Sequence, residues 1–412
     1  GTLDPAGIPL VPMTLKGNSA DDLHYFSAWQ QMAATLGHRD FIFIGDCKMG
    51  ALETRAKIAQ SGGGYLCPLP MTGQVPDQLD AWINQLPTAL KDLYVKGKKG
   101  GEFRKMGQGF EVEKVMTGVK EFGAFEWKER WIVVRSDRHA KKQQAGFLKQ
   151  LEQAETAVNA TRPQTTESRA DWERRLNKII SEQGLSEFLT VQVQETTRCQ
   201  KHYLRPGRPT AQTPYRWDVE SERTCRIERQ VAAIEAHQHR MGWRIYVSNA
   251  DQSQMTLQNS IEYYRDEYTV ERGFHRFKEG ALPILPLFVR IDERIKGLVF
   301  ILFLCLQVLT LIDFVARREL EKTGEKLAGL VPGNPKMATA RPTAERLLEA
   351  FKGLHLFVEK RGDMIIGHIV EKLSPLQEKI LRLLQIPKEI YDLSFITTRV
   401  KDDHAQPEGN IA

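Results

Sequence analysis

The sequence is poor in cysteine and shows no pattern among the few it has. Cys47, Cys67, Cys199, Cys225 and Cys305 are an odd five in 412 residues, widely spaced, with no Cys-x-x-Cys pair. That spacing excludes a disulfide framework and a zinc ribbon, and it makes a reducing cytoplasm the expected compartment. A strong charge of one sign is also missing: 58 Lys and Arg stand against 52 Asp and Glu, a net +6. So mild an excess points to a polyanionic partner only where it clusters. Long apolar runs are scarce too. The longest, from Leu298 to Ile312, contains Gln307 and Thr310 and stops at Asp313. A membrane-spanning helix needs about 20 apolar residues, so the run reads as a buried core helix, with a lipid-embedded helix as the alternative.

Two features carry chemistry. Phe41-Ile42-Phe43-Ile44-Gly45-Asp46-Cys47-Lys48 is an apolar run closing on Gly-Asp, which predicts a buried strand that delivers a carboxylate at its C-terminal end. On such a strand Lys48 shares the face of Asp46. Far downstream, Tyr264, Glu271 and Lys278 recur at seven-residue spacing within residues 260–279. On one helix that period sets all three on one face. A strand-borne Asp and a helix-borne Glu are a pair that can serve a divalent metal.

At this length the chain holds two or three domains. Residues 1–71 alternate strands and helices: a hairpin arm at Gly7–Val11, a helix closed by Gly37, the Asp46 strand, a helix from Ala51 to Ala59, and a strand from Tyr65 to Leu69. That order predicts an α/β core with a mixed sheet and flanking helices. Residues 72–256 change character and read as an α+β insertion. It contains a basic stretch (Lys96, Lys98, Lys99, Arg104, Lys105), antiparallel strands at 110–116 and 125–136, helices at 141–157 and 170–183, and a loop over 198–217. A long polar helix ending near Arg240, bearing His237 and His239 at the surface, leads to a strand at 243–247. Residues 257–320 complete the core and 321–342 finish its last helix and form a linker. Residues 343–396 form a C-terminal helical region, with helices near 344–359 and 375–385, and 397–412 a disordered tail. Ser374-Pro375-Leu376-Gln377 is a capping-box start.

Several motifs, in order along nearly the whole chain, resemble bacterial insertion-sequence transposases of the DDE type, in the IS-four-like branch. They are Gly1–Gly7 (GTLDPAG), Pro9-Leu10, Gly17-Asn18 with Asp21, Phe43–Met49 (FIGDCKM), Tyr65–Pro70 (YLCPLP), Tyr264–Lys278 (YRDEYTVERGFHRFK) and Arg294–Leu298 (RIKGL). Each alone is weak; together they form a specific pattern. The resemblance implies a ribonuclease-H-like catalytic domain interrupted by a large insertion. In the family signature on the last catalytic helix, Tyr264, Glu271 and Lys278 fill three of four places, and Glu267 stands where Arg is expected.

By that resemblance Asp46 is the second catalytic acid and Glu271 the third, both metal ligands for Mg²⁺, with Mn²⁺ able to substitute. Lys48, Tyr264 and Lys278 become DNA contacts. The first acid belongs on an opening strand that the chain lacks. Asp4, before Pro5 and Gly7, reads as a turn residue. The chain opens on Gly-Thr-Leu rather than Met, and the expectation is an N-terminally truncated copy with reduced or no activity. The implied partners are double-stranded DNA, both element inverted repeats and target, bound by a homodimer, with no membrane role.

The chemistry explains the residue types. Phosphodiester cleavage and strand transfer are in-line displacements at phosphorus, and hard divalent ions that assist them take oxygen ligands. Over 198–217, Arg198, Lys201, Arg205, Arg208 and Arg216 interleave with Tyr203, Tyr215 and Trp217, so guanidiniums meet phosphate beside rings able to stack on bases. Arg198, Arg205 and Arg208 are therefore candidate DNA contacts. A solvated surface loop is the bland alternative for these arginines, a turn residue for Asp46 and a solvated helix charge for Glu271. For the whole chain, the alternative is a DNA-binding remnant without chemistry.

Overall fold

The computed structural model describes residues 2–3, 6–15, 19–86, 90–96, 102–118, 125–164, 166–204, 206, 208–210, 212–266, 268–278, 280–361 and 364–391. Asp4, Lys98, Lys99, Arg205, Glu267 and the expected tail at 397–412 lie outside them. The chain divides into two compact units, residues 1–41 with 265–412, and residues 42–264.

The first unit opens with β1 (Thr2–Leu3) and β2 (Ile8–Pro9), an antiparallel pair. Helix α1 (Tyr25–Leu36) buries Trp29 and Met32 and ends at Gly37. Gly37 has a φ of +74° and its N–H donates to Ala33 O, the left-handed cap that glycine takes without strain.

The second unit runs β3 (Ile42–Ile44), α2 (Leu52–Gln60), β4 (Gly64–Pro68), α3 (Val75–Asn84), β5 (Lys91–Lys96), β6 (Phe103–Thr117) and β7 (Glu126–Ser136). It continues through α4 (Asp137–Ala160), α5 (Arg169–Glu182), β8 (Leu189–Tyr203), β9 (Tyr215–Arg229), α6 (Val231–Arg240), β10 (Trp243–Ser248) and α7 (Leu257–Arg265). Six strands form one mixed sheet in the order β3-β4-β10-β7-β6-β5. The β3–β4 pair is parallel and the other pairs are antiparallel. Side chains alternate across it. Leu66, Ile132, Val134 and Tyr246 face Leu257 and Ile261 of α7, while Trp131 on the other face meets Trp82 of α3 at 5.7 Å between ring centroids. Cover on both faces explains why Trp131-Ile132-Val133-Val134 is continuously apolar.

A boundary at residue 72 does not divide this sheet. The strands expected in an insertion pair directly onto β4 through β10, so backbone hydrogen bonding runs unbroken from β3 to β5. The chain departs from the sheet over 137–242. It leaves at the end of β7 and returns at β10, where the Ser136 N–H donates to Gly242 O at 2.9 Å. This excursion has its own core, built from Phe147, Leu151, Trp172, Leu176, Ile180, Val191, Val193 and Ile234.

The first unit resumes with α8 (Tyr268–Lys278), α9 (Asp292–Thr323), α10 (Ala344–Glu349), β11 (Leu356–Arg361), β12 (Met364–Val370) and α11 (Pro375–Leu383). Ala316, Leu320, Leu330, Leu347, Ile380 and Leu383 form its core. The helix expected over 344–359 ends at Glu349, and its second half pairs as β11 with β12. The capping box at Ser374 and Gln377 is present, with Pro375 in the first turn. The expected buried apolar helix is corrected. α9 is longer than the apolar run and is long and apolar enough to cross a membrane, yet only 22% of its apolar window is buried. Phe303, Leu306 and Leu309 turn inward, whereas Phe300, Ile301, Leu304, Val308 and Leu311 are exposed.

Candidate functional site

Asp46 stands just past the C-terminal end of β3, half-buried, at the start of a tight turn over Cys47–Gly50. The strand stops at Ile44, so Lys48 is not on a strand with Asp46. Instead Asp46 Oδ1 accepts the Lys48 backbone N–H at 2.9 Å, and the exposed Lys48 follows it round the turn. At Gly45 a Cβ would sit 2.7 Å from the sulfur of buried Met49, so a larger residue here would force the Met49 side chain to shift.

The turn is braced from behind. Arg55 Nε on α2 donates to the Gly50 carbonyl at 3.0 Å, and Arg55 pairs with Glu129 of β7. Glu129 is fully buried, yet its oxygens are satisfied. Tyr65 Oη donates to Oε1 at 2.5 Å, and Trp131 Nε1 to Oε2 at 2.9 Å. Trp127 Nε1 donates to Tyr65 Oη at 2.8 Å. A buried carboxylate is tolerable only when paired and hydrogen-bonded in this way. Burial, then the Glu129 charge, drives the Tyr65 hydroxyl well above its usual range. For Arg55 burial opposes the charge, and Glu129 more than offsets it, holding the guanidinium protonated. Burial pushes the neighbouring Cys67 thiol up to about 12.

Sequence reasoning missed Glu129 and Arg55. A signal existed: Trp127, Glu129 and Trp131 alternate on one strand face, so a carboxylate sits where two tryptophans point inward.

The seven-and-seven spacing does not lie on one helix. Tyr264 lies in the last turn of α7, and Glu271 and Lys278 belong to α8, so Tyr264 leaves the shared face. Tyr264 packs half-buried against Tyr246 at 4.8 Å between ring centroids. Glu271 and Lys278 keep their common face on α8, and both are exposed. The opposite face of α8 is tied down. Arg272 and Arg276 reach Asp313 Oδ2 on α9 at 2.8 and 3.1 Å, and Arg276 Nε also donates to Glu345 at 2.7 Å. Asp313 accepts the Ala344 N–H at 2.6 Å on its other oxygen.

Asp46 and Tyr264 thus fall in one unit, Glu271 and Lys278 in the other. The donor chemistry of Asp46 and Glu271, hard carboxylate oxygens, suits Mg²⁺ or Mn²⁺. Among the described residues no group of three or more His, Cys, Asp and Glu gathers as a metal cluster.

The expected loop over 198–217 is largely strand. β8 and β9 pair through fifteen positions each, from Leu189↔Arg229 to Tyr203↔Tyr215, as a two-stranded ribbon. The polar helix expected before Arg240 is accordingly short, limited to α6. Arg198, Lys201 and Arg216 are exposed on the ribbon, and Arg208 is exposed beyond the end of β8. His237, expected at the surface, is half-buried between Phe147 and Phe188, at 4.6 and 4.9 Å, and burial lowers its pKa. Lys105 of the other basic stretch lies on β6 and pairs with Asp92 at 2.7 Å. No protein-family model and no curated protein matches this chain.

Proposed function

We propose that the chain is a DNA transposase of the DDE type, cleaving phosphodiester bonds and transferring strands at the ends of an insertion element. In this reading the mixed sheet belongs to a ribonuclease-H-like catalytic domain, and the protein acts in the bacterial cytoplasm as a homodimer on double-stranded DNA. The observation that supports it most is the presentation of Asp46. A carboxylate stands at the end of a parallel strand, on a turn pinned by Arg55, beside an exposed lysine. Asp46 and Glu271 would each offer carboxylate oxygens to Mg²⁺, which when bound would activate the attacking oxygen and stabilise the leaving one. Lys48, with Lys278 one turn-pair along from Glu271, would set the phosphate backbone by charge. Tyr264, Arg198, Arg205 and Arg208 extend that contact.

The test is strand nicking of supercoiled DNA and strand transfer by the purified chain, with Mg²⁺ or Mn²⁺ and with chelator. Metal-dependent cleavage that falls by orders of magnitude in Asp46→Asn and in Glu271→Gln is the expected result. Full activity in either variant would overturn the assignment. DNA binding without cleavage under any metal would leave the second reading, a DNA-binding protein without chemistry.

A further inference from the structure

The β8–β9 ribbon has two chemically different faces. In an antiparallel pair, residues directly opposite share a face and alternate along each strand. At the base, Val191 and Val193 with Cys225 and Ile227 pack on the core of α4 and α5. The same face continues outward as Cys199, Lys201 and Tyr203 opposite Val219, Trp217 and Tyr215. There it is uncovered: Tyr203, Tyr215, Trp217 and Val219 are all exposed, Trp217 at 55%. The rings form one edge-to-face cluster, with Tyr203 and Tyr215 6.2 Å apart at 67° and Tyr215 and Trp217 5.8 Å apart at 87°. Lys201 Nζ lies over it, 4.5 Å from the Tyr215 centroid and 5.2 Å from that of Trp217. The reverse face carries Arg198, His202 and Arg216, the last paired with Asp218 at 2.9 Å.

We infer that this distal face binds unpaired nucleic-acid bases, so that the ribbon takes a single strand rather than a closed duplex. Three observations select that occupant. From Arg198 to its cross-strand partner Glu220 five Lys and Arg stand against two acids, Asp218 and Glu220, so the ribbon end is net positive, attracts a polyanion and repels a second copy of itself. A polyanion without rings would use the arginines and leave the aromatic rings unoccupied. A duplex offers base edges in its grooves, whereas an exposed ring such as that of Trp217 stacks on a base face, which only an unpaired strand exposes. Lys201 moves from the ring faces to a phosphate as a base takes its place. The inference goes beyond duplex recognition and stands whether or not the chain cleaves DNA.

The test uses the full chain in chelator, with fluorescence anisotropy of one labelled oligonucleotide as a single strand and as a duplex, and with heparin as a polyanion lacking bases. Single-strand binding is expected to be about tenfold tighter than duplex binding, and Trp217→Ala to weaken it by about tenfold. The same substitution should leave duplex and heparin affinity within about twofold, and Trp217→Phe should restore most of the loss, since any aromatic face can stack. Arg198→Ala should weaken all three ligands alike. Because Trp217 is exposed, an unchanged melting temperature is expected to accompany these effects. Tighter duplex binding, no binding of the single strand, or an equal loss for all three ligands in Trp217→Ala would each overturn the inference.

Discussion

Glu129 and Cys67 show how burial governs single residues in the sheet. Glu129 is accommodated at zero exposure because Arg55, Tyr65 and Trp131 replace the water it loses. Cys67, equally buried on β4, has no such set of donors, and burial raises its thiol from 9.0 to about 12, with Arg55 opposing and Glu129 adding. The consequence for stability has a definite sign. Below pH 9 the thiol is protonated whether the chain is folded or not, and it contributes no slope. Between pH 9 and 12 the unfolded chain releases this proton and the native state keeps it, so stability falls as pH rises. One such proton contributes a slope of about 1.4 kcal/mol per pH unit. Urea unfolding at pH 8 and pH 10 should therefore show a smaller loss for Cys67→Ala than for the parent. An equal loss in both would mean that the thiol ionises in the folded chain. Thiol labelling of the native protein at pH 8 should reach the exposed Cys47 and Cys199 and spare Cys67.

The elements show what pattern can and cannot reveal. Helix α1 with its Gly37 cap, the β3 strand ahead of Asp46 and the boxed start of α11 were legible, because each rests on local rules of period and capping. The ribbon was not. Beyond Val193 both of its faces meet solvent, so the apolar alternation that marks a strand fades, and arginine, proline and aromatic residues read as loop. The break between α7 and α8 was equally hidden, because a seven-residue spacing persists in sequence whether or not the helix does. At the candidate site the exposed Glu271–Lys278 face was legible from that spacing. What anchors it was not, since Asp313 lies in an apolar run and its partners are distant. Asp313 gathers Arg272, Arg276 and Arg317 at 2.8, 3.1 and 3.4 Å and also caps Ala344. Its removal strands buried guanidinium charge between α8 and α9, so Asp313→Ala should lower stability by about 3–5 kcal/mol in denaturant unfolding. Amide exchange should rise across α8, the helix that presents Glu271. A loss under about 1 kcal/mol, the value of an exposed pair, would show that the cluster does not hold the helix.

At the scale of the whole molecule, the excursion over 137–242 is separable from the sheet that carries it. Its ends meet at one hydrogen bond, Ser136 N–H to Gly242 O, and β7 continues directly into register with β10 through Arg135↔Trp243. Its core is internal, drawn from α4, α5, β8, β9 and α6. A two-residue Asn-Gly turn is the natural closure for two antiparallel strands that already pair at their ends. Replacing Asp137–Met241 by Asn-Gly should therefore leave a folded protein, with the β3-to-β5 sheet and the Asp46 turn intact. Gly242 faces Ala140 so closely that a Cβ there would lie 2.6 Å from it, so with Ala140 excised this position no longer requires glycine on that account. Circular dichroism and a cooperative melt would establish folding. If the ribbon is the recognition arm, single-strand affinity should drop by at least about tenfold in the shortened protein. A shortened chain that folds and still binds single strands at the parental affinity would move recognition off the arm and back to the sheet. One that cannot fold would show that α4 is part of the sheet's own cover rather than the first element of an appendage.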